Sequence, residues 1–244
     1  MNHTLGLCSV SFRDRSPEDI LKEMKKAGLS AIEWGSDVHC PPEKAESIAA
    51  LTKEHGITCS SYGTYFRLGV TPLSELSAYM EAASILGTNL LRLWCGHQNS
   101  EDYGDREREL LWDDCKRAAE EAEKAGMILC LECHKKTFTN RKEAALSLMR
   151  AVDSPSFRMY WQPSQHRSFK ENLSYAESLA PYTEHLHVFN WREKEKFPLE
   201  EAVEEWRRYL GAFDGPHTLL LEFMPDGKLE SLTREADALR EIVK

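Results

Sequence analysis

Short apolar runs alternate with longer amphipathic stretches eight times along this chain, and that alternation leaves few folds open. The strand candidates are Leu5–Phe12, Ala31–Gly35, Thr58–Tyr62, Asn89–Cys95, Met127–His134, Arg158–Gln162, His185–Trp191 and Thr218–Met224. The stretches between them carry helix punctuation. Ser16-Pro17-Glu18-Asp19 supplies an N-cap, a first-turn proline and two acids at the positive end of a helix, and Gly28 closes it. Pro41-Pro42-Glu43 opens a second helix that stops at Gly56, Thr71-Pro72 opens a third that stops at Gly87, and a fourth stops at Gly126. Strands separated by helices run parallel, because the helix makes the return journey. Eight such units in 244 residues match the size of one closed barrel. The chain is therefore read as an α/β protein, a (β/α)₈ TIM barrel forming a single domain over residues 1–244. An open doubly wound sheet fits less well, since the units are even and no G-x-G-x-x-G follows the first strand.

Composition narrows the partners. The net charge is −9, and the Lys and Arg residues are scattered among acids rather than gathered into a stripe. A surface that holds nucleic acid needs a basic footprint, so nucleic acid is not expected as a partner. No apolar run approaches the roughly 20 residues of a membrane span, so no membrane partner is expected either. Met1-Asn2-His3-Thr4 leads directly into an apolar run with no signal-peptide pattern, and a cytoplasmic location is expected. All seven cysteines lie at or before Cys133 and are read as reduced core thiols. Cys130 and Cys133 match C-x-x-C, but strand alternation would send them to opposite faces. The longest connection, Gly96 to Gly104, follows the fourth strand and is a candidate lid.

Polar groups interrupt the apolar strands at four places. Glu132 follows Met127–Leu131, Gln162 follows Arg158–Trp161, His187 lies within His185–Phe189, and Glu222 follows Thr218–Leu221. These are successive strands, five to eight, and the ends of adjacent strands converge in a closed barrel. A buried glutamate without a partner costs several kcal/mol, so two of them beside an imidazole and an amide imply a shared site. Two carboxylate oxygens, an imidazole nitrogen and an amide oxygen form a ligand set suited to Mn²⁺, Mg²⁺, Co²⁺ or Zn²⁺.

The order Glu132, Gln162, His187, Glu222 resembles the metal-binding pattern of the xylose isomerase-like barrel superfamily of sugar isomerases and epimerases. The resemblance covers nearly the whole chain. It implies one divalent metal held by Glu132, Gln162, His187 and Glu222, with Glu132 and Glu222 as acid and base. The family carries an aspartate where Gln162 stands. An amide oxygen brings no charge, so weaker metal binding is expected. The implied substrate is a small sugar or sugar derivative, and the implied chemistry is metal-assisted proton transfer through an enediolate, in a metal-dependent sugar isomerase or epimerase. The alternatives are a metal-dependent lyase or dehydratase acting on a cyclitol, and a non-catalytic sugar-binding barrel that has lost its metal. A homo-oligomer is left open. Further groups near strand ends are candidates for contacting substrate: Glu33, Trp34, His39, Arg92, Trp94, His134, His166, Asn190 and Trp191, with His97, Lys135 and Gln165 close by. Glu33 and Arg92 could equally pair with each other.

Overall fold

The computed structural model describes residues 2–244. Its strands are β1 (Thr4–Cys8), β2 (Ala31–Gly35), β3 (Thr58–Leu68), β4 (Leu90–Cys95), β5 (Ile128–Glu132), β6 (Phe157–Trp161), β7 (Thr183–Val188), β8 (Trp191–Arg192), β9 (Glu195–Lys196) and β10 (Thr218–Leu221). Eight of them pair in parallel and close on themselves in the order β1-β2-β3-β4-β5-β6-β7-β10, while β8 and β9 form a small antiparallel hairpin after β7. The intervening helices are α1 (Pro17–Lys26), α2 (Ala45–Glu54), α3 (Leu76–Leu86), α4 (Asp105–Ala125), α5 (Lys142–Val152), α6 (Phe169–Leu179), α7 (Val203–Leu210) and α8 (Leu232–Ile242). The (β/α)₈ barrel expected from the alternation is the observed fold. No helix among the described residues is long and apolar enough to cross a membrane.

Helix boundaries follow local chemistry. The Ser16 hydroxyl accepts the Asp19 N–H at the start of α1, and α6 opens with a capping box between Ser168 and Glu171. Gly87 and Gly126 take the left-handed conformation that ends α3 and α4. Two helices begin later than the proline signals suggest. The prolines start single 3₁₀ turns, Pro42–Lys44 and Leu73–Glu75, and the α-helix begins only after each turn.

Strand alternation sorts the side chains. Leu90, Cys130, Tyr160 and Leu220, from four strands, point inward and meet as an apolar layer with Ile128 packed against it. Their outward neighbours Leu91, Leu131, Trp161 and Leu221, with Trp34 of β2 and Leu186 of β7, join the larger core under the helices. Trp161 packs against Trp206 and Tyr209 of α7, with ring centroids 5.8 and 5.1 Å apart. Burial of such a ring is worth roughly 2–3 kcal/mol. Cys130 belongs to the inner layer, whereas Cys133 lies beyond β5 with its thiol on the Tyr160 carbonyl at 3.2 Å.

Several strands are shorter than the sequence suggests. β1 stops at Cys8, where Ser9–Phe12 turn into a 3₁₀ segment, and β7 stops at Val188, so Trp191 belongs to the hairpin. β10 stops at Leu221, and Phe223, with φ +58, swings the chain away from the barrel immediately after Glu222.

Candidate active site

Two residues beyond the apolar layer, the same four strands turn polar. Leu90 is followed by Arg92, Cys130 by Glu132, Tyr160 by Gln162 and Leu220 by Glu222. The period of two puts each on the inward face one step nearer the carboxyl end of the barrel. Glu33 from β2, His187 from β7 and Cys8 from β1 complete a buried polar cluster at that end. Carboxyl ends of barrel strands are where such enzymes carry their chemistry.

Within the cluster the proposed ligands are joined in a chain. Gln162 Nε2 donates to Glu132 Oε1 at 3.0 Å, and the Gln162 amide oxygen accepts His187 Nδ1–H at 3.0 Å. That same Nδ1 is 3.6 Å from Glu222 Oε2, and Nε2 on the other edge of the ring is 3.6 Å from Glu33 Oε1. Glu132 is well supplied. Its Oε2 accepts the Trp94 indole N–H and lies 3.2 Å from Arg92 Nη1. Glu33 accepts Arg92 Nε and Nη2, both at 3.2 Å, the Ser61 hydroxyl at 3.1 Å and the Cys8 thiol at 3.3 Å. Gly63 makes this pairing possible: a Cβ there would stand 2.5 Å from Glu33 Oε1 and 2.8 Å from Arg92 Nη2. Glu222 differs from both. Its residue is 6% exposed, and its carboxylate accepts no hydrogen bond among the described residues.

Charge follows from these neighbours. Burial raises the pKa of Glu222 to about 7, with His187 pulling the other way and Glu132 adding to the rise. Burial also works against the charge of Glu132 and Glu33, but Arg92 and then His187 outweigh it and hold both below the usual carboxylate range. Burial opposes a charge on His187 too, yet Glu222, Glu33 and Glu132 around it push its pKa up to about 9.

A carboxylate with no donor, beside an imidazole nitrogen and an amide oxygen, fits a divalent cation. Cys8, His187 and Glu222 also offer ligand atoms within 4.8 Å of one another, which adds a thiol that the sequence reading had treated as core packing. Glu132 fits the role of fourth ligand less directly, because its oxygens already face Arg92, Trp94 and Gln162.

The expected substrate-contacting residues divide. Trp94 and His134 lie at the mouth, stacked at 5.1 Å and 12°, with the Arg67 guanidinium 4.1 Å from the Trp94 ring centroid. His166 is exposed on the loop after β6. Trp191 is half-buried on the hairpin, 5.4 Å from the Phe223 ring, with Lys196 Nζ 5.3 Å from its centroid. Three residues must be moved out of the site. Trp34 neighbours the inward Glu33, so it faces the helices, fully buried, with its indole N–H on Thr52 Oγ1 at 3.0 Å. His39 is buried beneath the loop after β1, between Ser9 Oγ at 3.1 Å and the Phe12 carbonyl at 3.2 Å. Asn190 holds the Pro198 carbonyl at 2.9 Å and braces the loop beyond the hairpin. Glu33 and Arg92 are buried as an ion pair beside Glu132 and His187.

The loop from Gly96 to Gly104 is anchored rather than free. Ser100 N–H donates to Asn140 Oδ1 at 2.9 Å, Lys136 N–H donates to Asn99 Oδ1 at 2.8 Å, and Asn140 and Arg141 hold Glu101 at 2.9 and 3.0 Å. Together with the loops after β5 and β6 it encloses a cavity of about 230 Å³, lined in part by His134, Lys135, Gln162, His166 and Arg167. The sequence reading missed Arg167, Asn99 and Asn140 there. Their loop positions after strands were visible, but no pattern separated them from solvent-facing residues.

Comparison with known proteins places the fold among relatives. The family model described as xylose isomerase-like TIM barrel matches residues 21–242. A 3-dehydroshikimate dehydratase of Bacillus anthracis is 23% identical over 209 residues, covering 76% of this chain and 71% of that protein. Among solved structures, the probable 3-DHS dehydratase of Bacillus anthracis superposes with a TM-score of 0.79 at 18% identity, covering 98% of this chain and 99% of that one. D-psicose 3-epimerase of Clostridium cellulolyticum superposes with a TM-score of 0.68 at 15% identity and 97% coverage of each chain. A barrel of the same type from Mycobacterium smegmatis, solved in complex with magnesium, superposes with a TM-score of 0.70 at 12% identity, covering 99% of this chain and 98% of that one.

Proposed function

The chain belongs to the xylose isomerase-like TIM barrel family, and we propose that it is an enzyme of sugar-type hydroxy-carbonyl compounds, with Glu132 and Glu222 moving a proton on the carbon beside the carbonyl. One observation supports this above the others: the two glutamates share a buried site but differ in their hydrogen bonds. Glu132 is surrounded by donors from Arg92, Trp94 and Gln162, whereas Glu222 receives none. Carboxyl groups in such unequal settings can divide the roles of base and acid.

Glu222, His187 and Gln162, with Glu132 as fourth partner, are the residues to hold a divalent metal. When bound, the metal would polarise the substrate carbonyl and stabilise the enediolate. To serve as a ligand through Nδ1, His187 must give up the proton it shares with Gln162. Arg92 and Trp94 keep Glu132 ionised and fix its orientation. Trp94 and His134, stacked beside Glu132, and Trp191, packed on Phe223 next to Glu222, present ring surfaces to a carbon chain.

The first reading of the overall reaction is isomerisation or epimerisation, with the proton returned to the neighbouring carbon or to the opposite face. Similarity to a 3-dehydroshikimate dehydratase favours a second reading that shares the same opening step. After the proton leaves, a hydroxyl on the next carbon departs as water and a carbon–carbon double bond forms. NMR time courses of metal-loaded protein with D-tagatose, D-psicose and 3-dehydroshikimate separate the two readings. A new sugar epimer or aldose supports the first, and conversion of 3-dehydroshikimate with loss of water supports the second. Inert mixtures at full metal occupancy would overturn both.

A further inference from the structure

The cavity of about 230 Å³ beside the acid–base site has an unusual charge. Gln162 belongs to its wall and to the site itself, so a molecule held at Glu132 and Glu222 can extend into it. The chain carries a net charge of −9, yet no carboxylate lines this space, while Lys135, Arg167, His134 and His166 do. Some cations elsewhere in the protein meet acids. Arg141 holds Glu101 at 3.0 Å, and Arg158 holds Glu184 at 2.7 Å. Lys135 and Arg167 make no ion pair among the described residues. Arg167 is nonetheless fixed in place, with Nη2 donating to the Asn140 carbonyl and the guanidinium 5.3 Å from the Tyr175 ring centroid. A carbonyl and a ring orient the guanidinium without neutralising it, so its charge stays available to a ligand.

We infer that this cavity is an oxyanion subsite, in which Lys135 and Arg167 hold a carboxylate or phosphate carried by the substrate. The inference rests on the enzymatic reading and adds the substrate class: an acid or a phosphate ester rather than a neutral sugar. Arg supplies a planar fork matched to two oxygens, and Lys adds a mobile point charge. Since a water fills about 30 Å³ in the liquid, the cavity has room for an oxyanion together with a short piece of carbon skeleton.

Calorimetric titration of the metal-loaded protein tests this with three probes: 3-dehydroshikimate for a carboxylate, D-tagatose 6-phosphate for a phosphate, and neutral D-tagatose. At least one anionic probe should bind tenfold or more tightly than D-tagatose, and the tighter one identifies the source of the oxyanion. Lys135→Gln and Lys135→Gln/Arg167→Gln should reduce and then remove that preference, with D-tagatose affinity held within twofold. Lys135 is exposed, so its single variant keeps the test valid even if the Arg167 change disturbs folding. Equal binding of all three probes, or a preference that survives in both variants, would overturn the subsite. Glu222→Gln distinguishes this failure from failure of the enzymatic reading. It should keep the anion preference, and a protein with that preference but no proton exchange retains the subsite and loses the proposed reaction.

Discussion

Arg92→Met tests the charge pairing that supports the site. Arg92 and Glu33 side chains are 3% and 0% exposed, joined by two contacts of 3.2 Å, and Arg92 Nη1 also lies 3.2 Å from Glu132 Oε2. Methionine keeps most of the stem and removes the charge. Glu33 would retain the Ser61 hydroxyl, the Cys8 thiol and the His187 ring edge at 3.6 Å. Breaking a buried pair costs about 3–5 kcal/mol, and the donor lost at Glu132 adds about 1 kcal/mol. The metal-free protein should therefore lose about 4–6 kcal/mol, which lowers Tm by about 10–20 °C in a chain of this size. Urea denaturation followed by near-UV circular dichroism, alongside a thermal melt, measures both. Glu33→Gln/Arg92→Met should recover about half of the loss, because the fully buried Glu33 no longer carries an unpaired charge, while Glu132 still lacks its cation. A loss under about 1 kcal/mol, or a double variant no more stable than the single one, would refute the claim that Arg92 neutralises these glutamates.

Other perturbations follow from the same geometry. Gln162→Asp adds a charged oxygen and should tighten Mn²⁺ binding by about tenfold in a calorimetric titration, while the lost Nε2 contact to Glu132, 3.0 Å long, lowers the melting temperature of the metal-free protein. Unchanged or weaker binding would place Gln162 outside the ligand set. Gly63→Ala forces a Cβ to within 2.5 Å of Glu33 Oε1, and a stability loss of about 1–3 kcal/mol by urea denaturation is expected. The Tyr103 hydroxyl anchors the start of the loop by accepting the His97 N–H at 3.0 Å, and Gly96→Ala strains a residue with φ +71 and drives a methyl into that hydroxyl. Faster hydrogen exchange over residues 96–104 should report the loosened loop, and unaltered protection would contradict the anchoring role of Tyr103.

The barrel was legible because strand–helix alternation is a long-range pattern that survives errors of a few residues at each boundary. The polar strand ends were legible for a related reason: Glu132 and Glu222 each close a run of apolar residues, where a carboxylate needs a cause. Side-chain direction was harder to read. Glu33 and Trp34 are consecutive, and alternation sends one into the barrel and the other under the helices, so both could not line the same pocket. Trp191 and Asn190 depended on where β7 ended, and the chain leaves the strand at Val188. Cys8 lay inside the Leu5–Phe12 run, where a thiol suits an apolar core, and its place at the end of β1 beside His187 and Glu222 emerged only from the closed barrel. Arg167 gave no signal because its missing acid partner is a property of three loops meeting in space.

The most direct test of the account follows carbon-bound hydrogen. Metal-loaded protein, incubated in D₂O with the substrate it turns over fastest, should place deuterium on a carbon beside the carbonyl, or on the product derived from that carbon. Glu132→Gln and Glu222→Gln should each reduce incorporation by at least about 10²-fold, with metal occupancy measured separately for each variant. Deuterium that still enters at the wild-type rate in both variants would contradict the assignment of these two glutamates as the acid–base pair.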